Sequence, residues 1–331
     1  MKRLLLLYIL VTTMLAAGAQ SPHVSQFYST PWLINPALTG YFDGPYRLAG
    51  NFRSQWGGGS TPFRTISASA EVGLLKNRLA ENNRLGLGAS FLNDHTLGGA
   101  SQWNIATLGT AYTVALDDEG MHRIGLGFQA IYQRRRLDYS RLLFENQLGS
   151  GGFDPSLPIG ESLTTYDKGQ FNAAVGGMYH YEGYEHSIFA GAAMFNVLRK
   201  KENLLPETFN ISPRYTVTIG GQAFVGVAGT LFGSANYQYQ SGAQELTIGG
   251  AYGLQLGDDL KNVISLGTWY RLGDALIPYV GYQLDGLQVG FSFDFTTSAL
   301  KAASQSRNGF ELSLVYSAPD RRDLKRAIPW Y

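Results

Sequence analysis

The chain has 331 residues, and 26 Lys and Arg against 25 Asp and Glu leave a formal net charge of +1. Only 15% of residues are charged, against about 25% in ordinary soluble domains, while Gly (41), Tyr (20) and Phe (18) are abundant. The charge balance gives no footprint for nucleic acid, and the absence of cysteine excludes disulfides, thiolate zinc sites and cysteine nucleophiles.

In chain order, residues 1–19 read as a secretory signal peptide. Lys2 and Arg3 form its charged start, Leu4 to Ala17 its apolar run, and Ala17-Gly18-Ala19 its small-residue cleavage site, which sets the expected mature start at Gln20. The apolar run falls short of the roughly 20 residues that a membrane span needs. No later stretch approaches such a length. A membrane protein of this composition must therefore cross as a barrel rather than as a helix bundle.

Residues 20–45 precede the first strand signal, and from Tyr46 the sequence alternates with a period of two. Successive strand side chains point to opposite faces, so one face can meet lipid and the other a lumen. Tyr46, Leu48, Phe52 and Trp56 oppose Arg47, Asn51, Arg53 and Gln55. Ile66, Ala68, Ala70 and Val72 oppose Ser67, Ser69 and Glu71. In Leu85 to Phe91 the lumen face is Gly86, Gly88 and Ser90. Ile124, Leu126, Phe128 and Tyr132 oppose Gly125, Gly127, Gln129 and Gln133. Six further segments repeat the alternation, near Phe171, Tyr215, Leu231, Leu246, Leu287 and Phe310. Four stretches have an unclear phase: Trp103 to Ala115, Ser187 to Val197, Val263 to Arg271 and Leu276 to Leu284. A bulge or a lumen-facing apolar residue accounts for such a break.

The count is about fourteen strands, and even counts are the bacterial rule. An open soluble sheet of this size would expose its edges. The expected fold is therefore all-β: a transmembrane antiparallel up-and-down β-barrel over 46–317, with a short N-terminal periplasmic segment (20–45) and a periplasmic basic tail (318–331). Long loops are expected on the outer side and short turns in the periplasm. The long stretches Arg136 to Gly169 and Leu198 to Ser212 both follow odd strands, which places both termini in the periplasm.

The segment before the barrel carries a set of motifs: His23, Ser25-Gln26-Phe27-Tyr28, Pro31, Asn35-Pro36-Ala37 and Gly40, running into Arg47, Asn51-Phe52-Arg53 and Gln55-Trp56. This resembles the PorP/SprF family of type IX secretion system outer-membrane proteins of Bacteroidetes. The resemblance covers Pro22 to about Glu71 closely and the rest by barrel pattern alone. It implies a non-enzymatic barrel that scaffolds or anchors secretion and gliding machinery and its secreted cargo, such as surface adhesins. The implied partners are periplasmic ring and motor components, a cargo protein and outer-membrane lipid. No cofactor and no nucleic acid is implied.

The residues allow readings of their own. Asn35-Pro36 favours a turn, and Gly40 permits a positive φ. Phe27, Tyr28, Trp32 and Leu33 are apolar groups that need a burial surface. They can pack inside the barrel or on its rim, or dock a periplasmic component. Arg47 and Arg53 face the lumen, and the first hairpin puts Arg47 opposite Glu71 as a cross-strand ion pair. Asp94-His95, expected in an outer loop, has no second carboxylate or serine for catalysis. His23, His122, His180 and His186 lack metal-ligand spacing. Arg134-Arg135-Arg136, at the outer end of the fifth strand, reads as a snorkelling or lipopolysaccharide-facing cluster, or as a cargo contact. The rival reading from another class is a general porin or small-solute channel, since fourteen strands leave room for an aqueous lumen.

Overall fold

The computed structural model describes residues 22, 24–55, 62–74, 83–149, 151–154, 156–158, 165–199, 201–203, 208–257, 262–297 and 308–319. The expected signal peptide, His23, Trp56 and the basic tail beyond Pro319 lie outside the described residues. The strands are β1 (Tyr46–Gln55), β2 (Phe63–Leu74), β3 (Arg84–Thr96), β4 (Ser101–Ala115), β5 (His122–Leu137), β6 (Leu148–Gly149), β7 (Gly152–Phe153), β8 (Tyr166–Glu182), β9 (His186–Phe195), β10 (Lys201–Asn203), β11 (Thr208–Asn210), β12 (Arg214–Val225), β13 (Gly229–Gln240), β14 (Ala243–Leu256), β15 (Asn262–Arg271), β16 (Ala275–Leu284), β17 (Leu287–Thr296) and β18 (Gly309–Ser317). Among the described residues, fourteen of these close into one antiparallel barrel, and β6–β7 and β10–β11 are small hairpins within two loops. Closure joins β1 to β18, with Arg53 opposite Glu311.

Sidedness follows the alternation. Leu48, Ile66, Phe91, Leu126, Phe128, Val217 and Leu312 are exposed on the outside, while Arg47, Asn51, Ser67, Glu71, Gln129, Asn172 and Thr216 are buried inward. The stretches of unclear phase carry lumen-facing apolar side chains. Ile105 in β4, Phe189 and Phe195 in β9, Trp269 in β15, and Ile277 and Tyr279 in β16 all belong to or pack on the buried clusters. Asp94 and His95, expected in a loop, lie within β3 just before its last residue, Thr96, and Thr65 on β2 donates to Asp94 at 2.6 Å.

The longest connections, 138–165 and 196–213, emerge at one end, here the long-loop end. The opposite end is closed by tight turns such as 183–185, 226–228 and 285–286, and is here the short-turn end. The main departure from the expected periplasmic placement concerns residues 24–42, and it decides for the intramolecular reading of Phe27, Tyr28, Trp32 and Leu33. Val24 to Phe42 sit in the lumen of the barrel, in three short 3₁₀ turns, and form its core with the inward wall.

The outward band makes a direct prediction. Leu108→Lys, in the middle of that band and 67% exposed, is expected to lower the stability of the barrel refolded in lipid vesicles by about 2–4 kcal/mol. Equilibrium denaturant titration measures it. An unchanged midpoint would mean that this face does not meet lipid.

Candidate functional site

The site is the interface between the N-terminal segment and the lumen wall. It begins near the long-loop end. Ser25 and Gln26 enter a cluster of inward charges from β1, β15, β17 and β18. The Ser25 amide donates to Glu311 Oε2 at 2.7 Å and the Gln26 amide to Glu311 Oε1 at 3.0 Å. The Ser25 hydroxyl lies 2.8 Å from both Asp294 oxygens, and receives Arg53 Nη1 at 2.9 Å and Arg271 Nη2 at 2.8 Å. Asp294 in turn bridges Arg53 at 2.9 Å and Arg271 at 3.3 Å. The Gln26 amide nitrogen donates to Ser292 and to the Glu311 carbonyl, and its oxygen accepts from Ser313 at 2.6 Å. Asn51 completes Glu311 at 2.7 Å. Gln55, half-buried at the end of β1, lies outside this cluster and flanks Gly309.

The middle of the segment is apolar. Tyr28 packs on Trp269 and Tyr279, with ring centroids 5.0 and 5.4 Å apart. Phe27, Ile34 and Leu38 share this core with Met178, Phe189, Phe232 and Ile277. The indole of Trp269 is satisfied by Ser234 at 3.1 Å. Backbone carbonyls of the segment are held by the wall: Trp32 by Gln129 (3.1 Å), Leu33 by Arg214 (2.9 Å) and Ile34 by Thr216 (2.6 Å). A buried carbonyl without a partner is costly, so these side chains stand in for a ladder neighbour.

Asn35-Pro36-Ala37 then turns the chain down the lumen. The Asn35 side chain accepts from the Ala37 amide at 2.9 Å and donates to the carbonyls of Gly177 (3.0 Å) and Ala192 (3.2 Å). Pro31 and Pro36 each start a turn, where a missing N–H costs nothing. The wall opposite is glycine. A Cβ on Gly127 would fall 2.2 Å from the Pro36 carbonyl carbon, and one on Gly86 would fall 2.0 Å from the Thr39 oxygen. Close backbone approach is what these two positions require.

At the short-turn end the segment is fixed again. Gly40, at φ +70°, donates its amide to Glu71 at 2.8 Å. Arg47 stands opposite Glu71 in the register and pairs with it at 3.0 Å, its guanidinium 4.9 Å from the Phe42 ring centroid. Tyr41 stacks on His180 at 3.8 Å and donates to Glu182, which also pairs with Arg123. Burial, and then the Glu182 carboxylate, push the Tyr41 phenol above its usual range, so it remains a donor.

The structure thus brings together Ser25, Gln26, Phe27, Tyr28, Pro31, Asn35, Pro36, Ala37 and Gly40 with Arg47, Asn51, Arg53 and Glu71. Sequence reasoning did not connect Asp294, Glu311, Arg271, Arg214 and Trp269 to the segment. Inward parity was the one signal for Asp294, Glu311 and Arg214, and Trp269 and Arg271 lie in a stretch whose phase was unclear. Gaps remain between segment and wall: one is lined by Trp32, Thr39, Glu71, Gly88 and Gln129, and another, at the short-turn end, by Tyr41, Phe42, His180 and Phe189.

With this geometry described, the chain can be set beside known proteins. A family model for type IX secretion system membrane protein PorP/SprF matches residues 16–316. No curated protein matches the chain. Solved structures share the architecture at low identity. The Pseudomonas putida toluene transporter TodX is 9% identical, with a TM-score of 0.51 over 91% of this chain and 94% of that one. A Pseudomonas aeruginosa FadL homologue is 10% identical, with a TM-score of 0.51 over 92% and 96%. These likenesses concern the fold alone.

Loss of one charge from the long-loop cluster tests its role. Asp294→Asn leaves Arg53 and Arg271 short of a carboxylate, and breaking a buried pair costs about 3–5 kcal/mol. The expected result is protease cleavage within 24–42 while the barrel stays folded by its gel mobility before heating. Unaltered protection of the segment would contradict the latch.

Proposed function

The chain belongs to the PorP/SprF family of type IX secretion system membrane proteins, and on that premise we propose that it is a non-conducting, non-enzymatic anchor in the outer membrane. It holds secretion or gliding machinery and its secreted cargo through its rims and loops. The observation that supports this reading is the occupied lumen. A general porin needs an open aqueous path, whereas here Val24 to Phe42 are packed against the wall along its length. With the bore occupied, the loops 138–165 and 196–213 and the short turns are the surfaces left for partners. Exposed apolar side chains at both ends fit that use: Leu143, Leu148 and Phe153 on the long loop, and Tyr184 and Val227 on two short turns.

The loop lengths support an orientation with the long-loop end outward and the short-turn end toward the periplasm. The cargo then belongs at the former and the ring or motor components at the latter. The segment 24–45 bridges the two. The substrates in the neighbours' names do not carry over, since identities of 9–10% speak for shared architecture alone.

The test combines conductance with capture. The purified protein in planar bilayers is expected to give no steady large channels, and a variant lacking residues 24–42 is expected to give them. Cross-linked outer membranes are expected to yield type IX components with the wild-type barrel. Steady channels from the intact protein would overturn the anchor reading in favour of a porin.

A further inference from the structure

The charged side chains of the wall are not spread evenly. Among the described strands, Arg47, Arg53, Arg84, Arg123, Arg135, Arg214 and Arg271 have inward parity, several of them holding the N-terminal segment. Arg64, Arg134 and Arg136 face outward, and all three lie at the long-loop end. At the short-turn end the outward rim is Tyr46, His122, Tyr181 and His186 instead.

The change from lipid-facing to polar happens at one height on three adjacent strands. On β4 the outward residues run Leu108, Ala106, Asn104, Gln102. On β5 they run Phe128, Ala130, Tyr132, Arg134, Arg136. On β8 they run Val175, Ala173, Phe171, Gly169, Asp167. The rings of Tyr132 and Phe171 lie 5.0 Å apart just below the step, where an aromatic girdle marks the membrane boundary. Above it stand Arg134, Arg136 and, from the following loop, Arg141, each about half exposed or more.

These guanidiniums have capacity to spare. Asp167 holds Arg134 through Nε and Nη2, both at 2.7 Å, which uses two of its five N–H donors. Arg136 and Arg141 share Asp138 at 3.9 and 3.6 Å, beyond ordinary hydrogen-bond length. The Ser140 hydroxyl keeps Asp138 ionised below the usual carboxylate range, yet it is one carboxylate between two arginines. The patch keeps a net positive charge where acyl chains end and headgroups begin.

We propose that Arg134, Arg136 and Arg141 form a binding site for the phosphate groups of the outer-leaflet glycolipid, whose acyl chains lie along Tyr132, Phe171 and Leu108. Arginine suits this because its planar fork matches phosphate oxygens in pairs. The site fixes the rotation of the barrel in the leaflet and presents the loop 138–165 at a set height. It rests on the outward orientation of the long-loop end argued above.

The experiment uses the intact protein, extracted in mild detergent and titrated with bisphosphorylated lipid A or phosphatidylglycerol under native mass spectrometry. The combined variant Arg134→Gln, Arg136→Gln, Arg141→Gln is compared with wild type. Each arginine near a charged lipid surface is worth about a fivefold change in affinity. The variant is therefore expected to lose lipid A by at least tenfold and phosphatidylglycerol by much less. Equal retention of lipid A, or equal loss of both lipids, overturns the site. Orientation is read separately with Leu143→Cys, introduced into a chain without native cysteine. A membrane-impermeant maleimide is expected to label it on intact cells. Absence of label overturns the orientation, and the glycolipid assignment with it, whatever the lipid titrations give.

Discussion

Inward charge in a closed barrel must be either hydrated or matched, and here the wall pairs part of it and the N-terminal segment completes the matching. Arg53 and Glu311 face each other across the seam where β1 meets β18. Arg53 Nη1 and Glu311 Oε2 are 3.5 Å apart, longer than a direct hydrogen bond. The amides of Ser25 and Gln26 and the hydroxyl of Ser25 supply the short bonds that the wall leaves unmade. A half-satisfied buried network is worse than none. Seating of the segment and closure of the barrel are therefore stabilised by the same groups. The aromatic core below the latch adds the apolar part, since Phe27, Tyr28 and Ile34 bury against side chains that would otherwise face an empty bore.

The alternation was readable because lipid and lumen impose opposite chemistry on successive residues, and this placed all fourteen barrel strands. The four ambiguous stretches share one feature, apolar side chains on the lumen face, including Ile105 in β4. Phe189, Phe195, Trp269, Ile277 and Tyr279 point inward, so both faces of those strands look apolar in sequence. Phe189, Trp269, Ile277 and Tyr279 pack with the segment 24–42, which no local pattern in β9, β15 or β16 reveals, whereas Phe195 packs with Ile131 and Ala174. The Arg47–Glu71 pair was legible because one hairpin sets its register. The contacts of Ser25 with Arg271 and Asp294 were not, because they depend on closure over more than two hundred residues.

The segment itself was read as periplasmic on the ground that its apolar residues follow an export signal and precede the first strand. The same residues also called for a burial surface, and the lumen supplies it. Gly86, Gly88, Gly125 and Gly127, read simply as small lumen residues, are part of the groove that receives Asn35 to Gly40. What sequence could not show is that smallness on one strand and a turn-forming motif on another segment are two halves of one contact.

The path of the segment has a mechanical consequence. It is tied covalently to β1 at the short-turn end and latched by Ser25 near the long-loop end. A chain so attached can withdraw only through the mouth at which it is tied. Withdrawal must break the bonds at Glu71 and Glu182, drag the Phe27 and Tyr28 rings past Trp269 and Tyr279, and break the Ser25 cluster as well. The bonds at Glu71 and Glu182, nearest that mouth, restrain only the last few residues. The Ser25 cluster thus lies at the end farthest from any pull applied through the short turns. A load placed on the wall at the short-turn rim does not act directly on that cluster, which agrees with the proposed anchoring role.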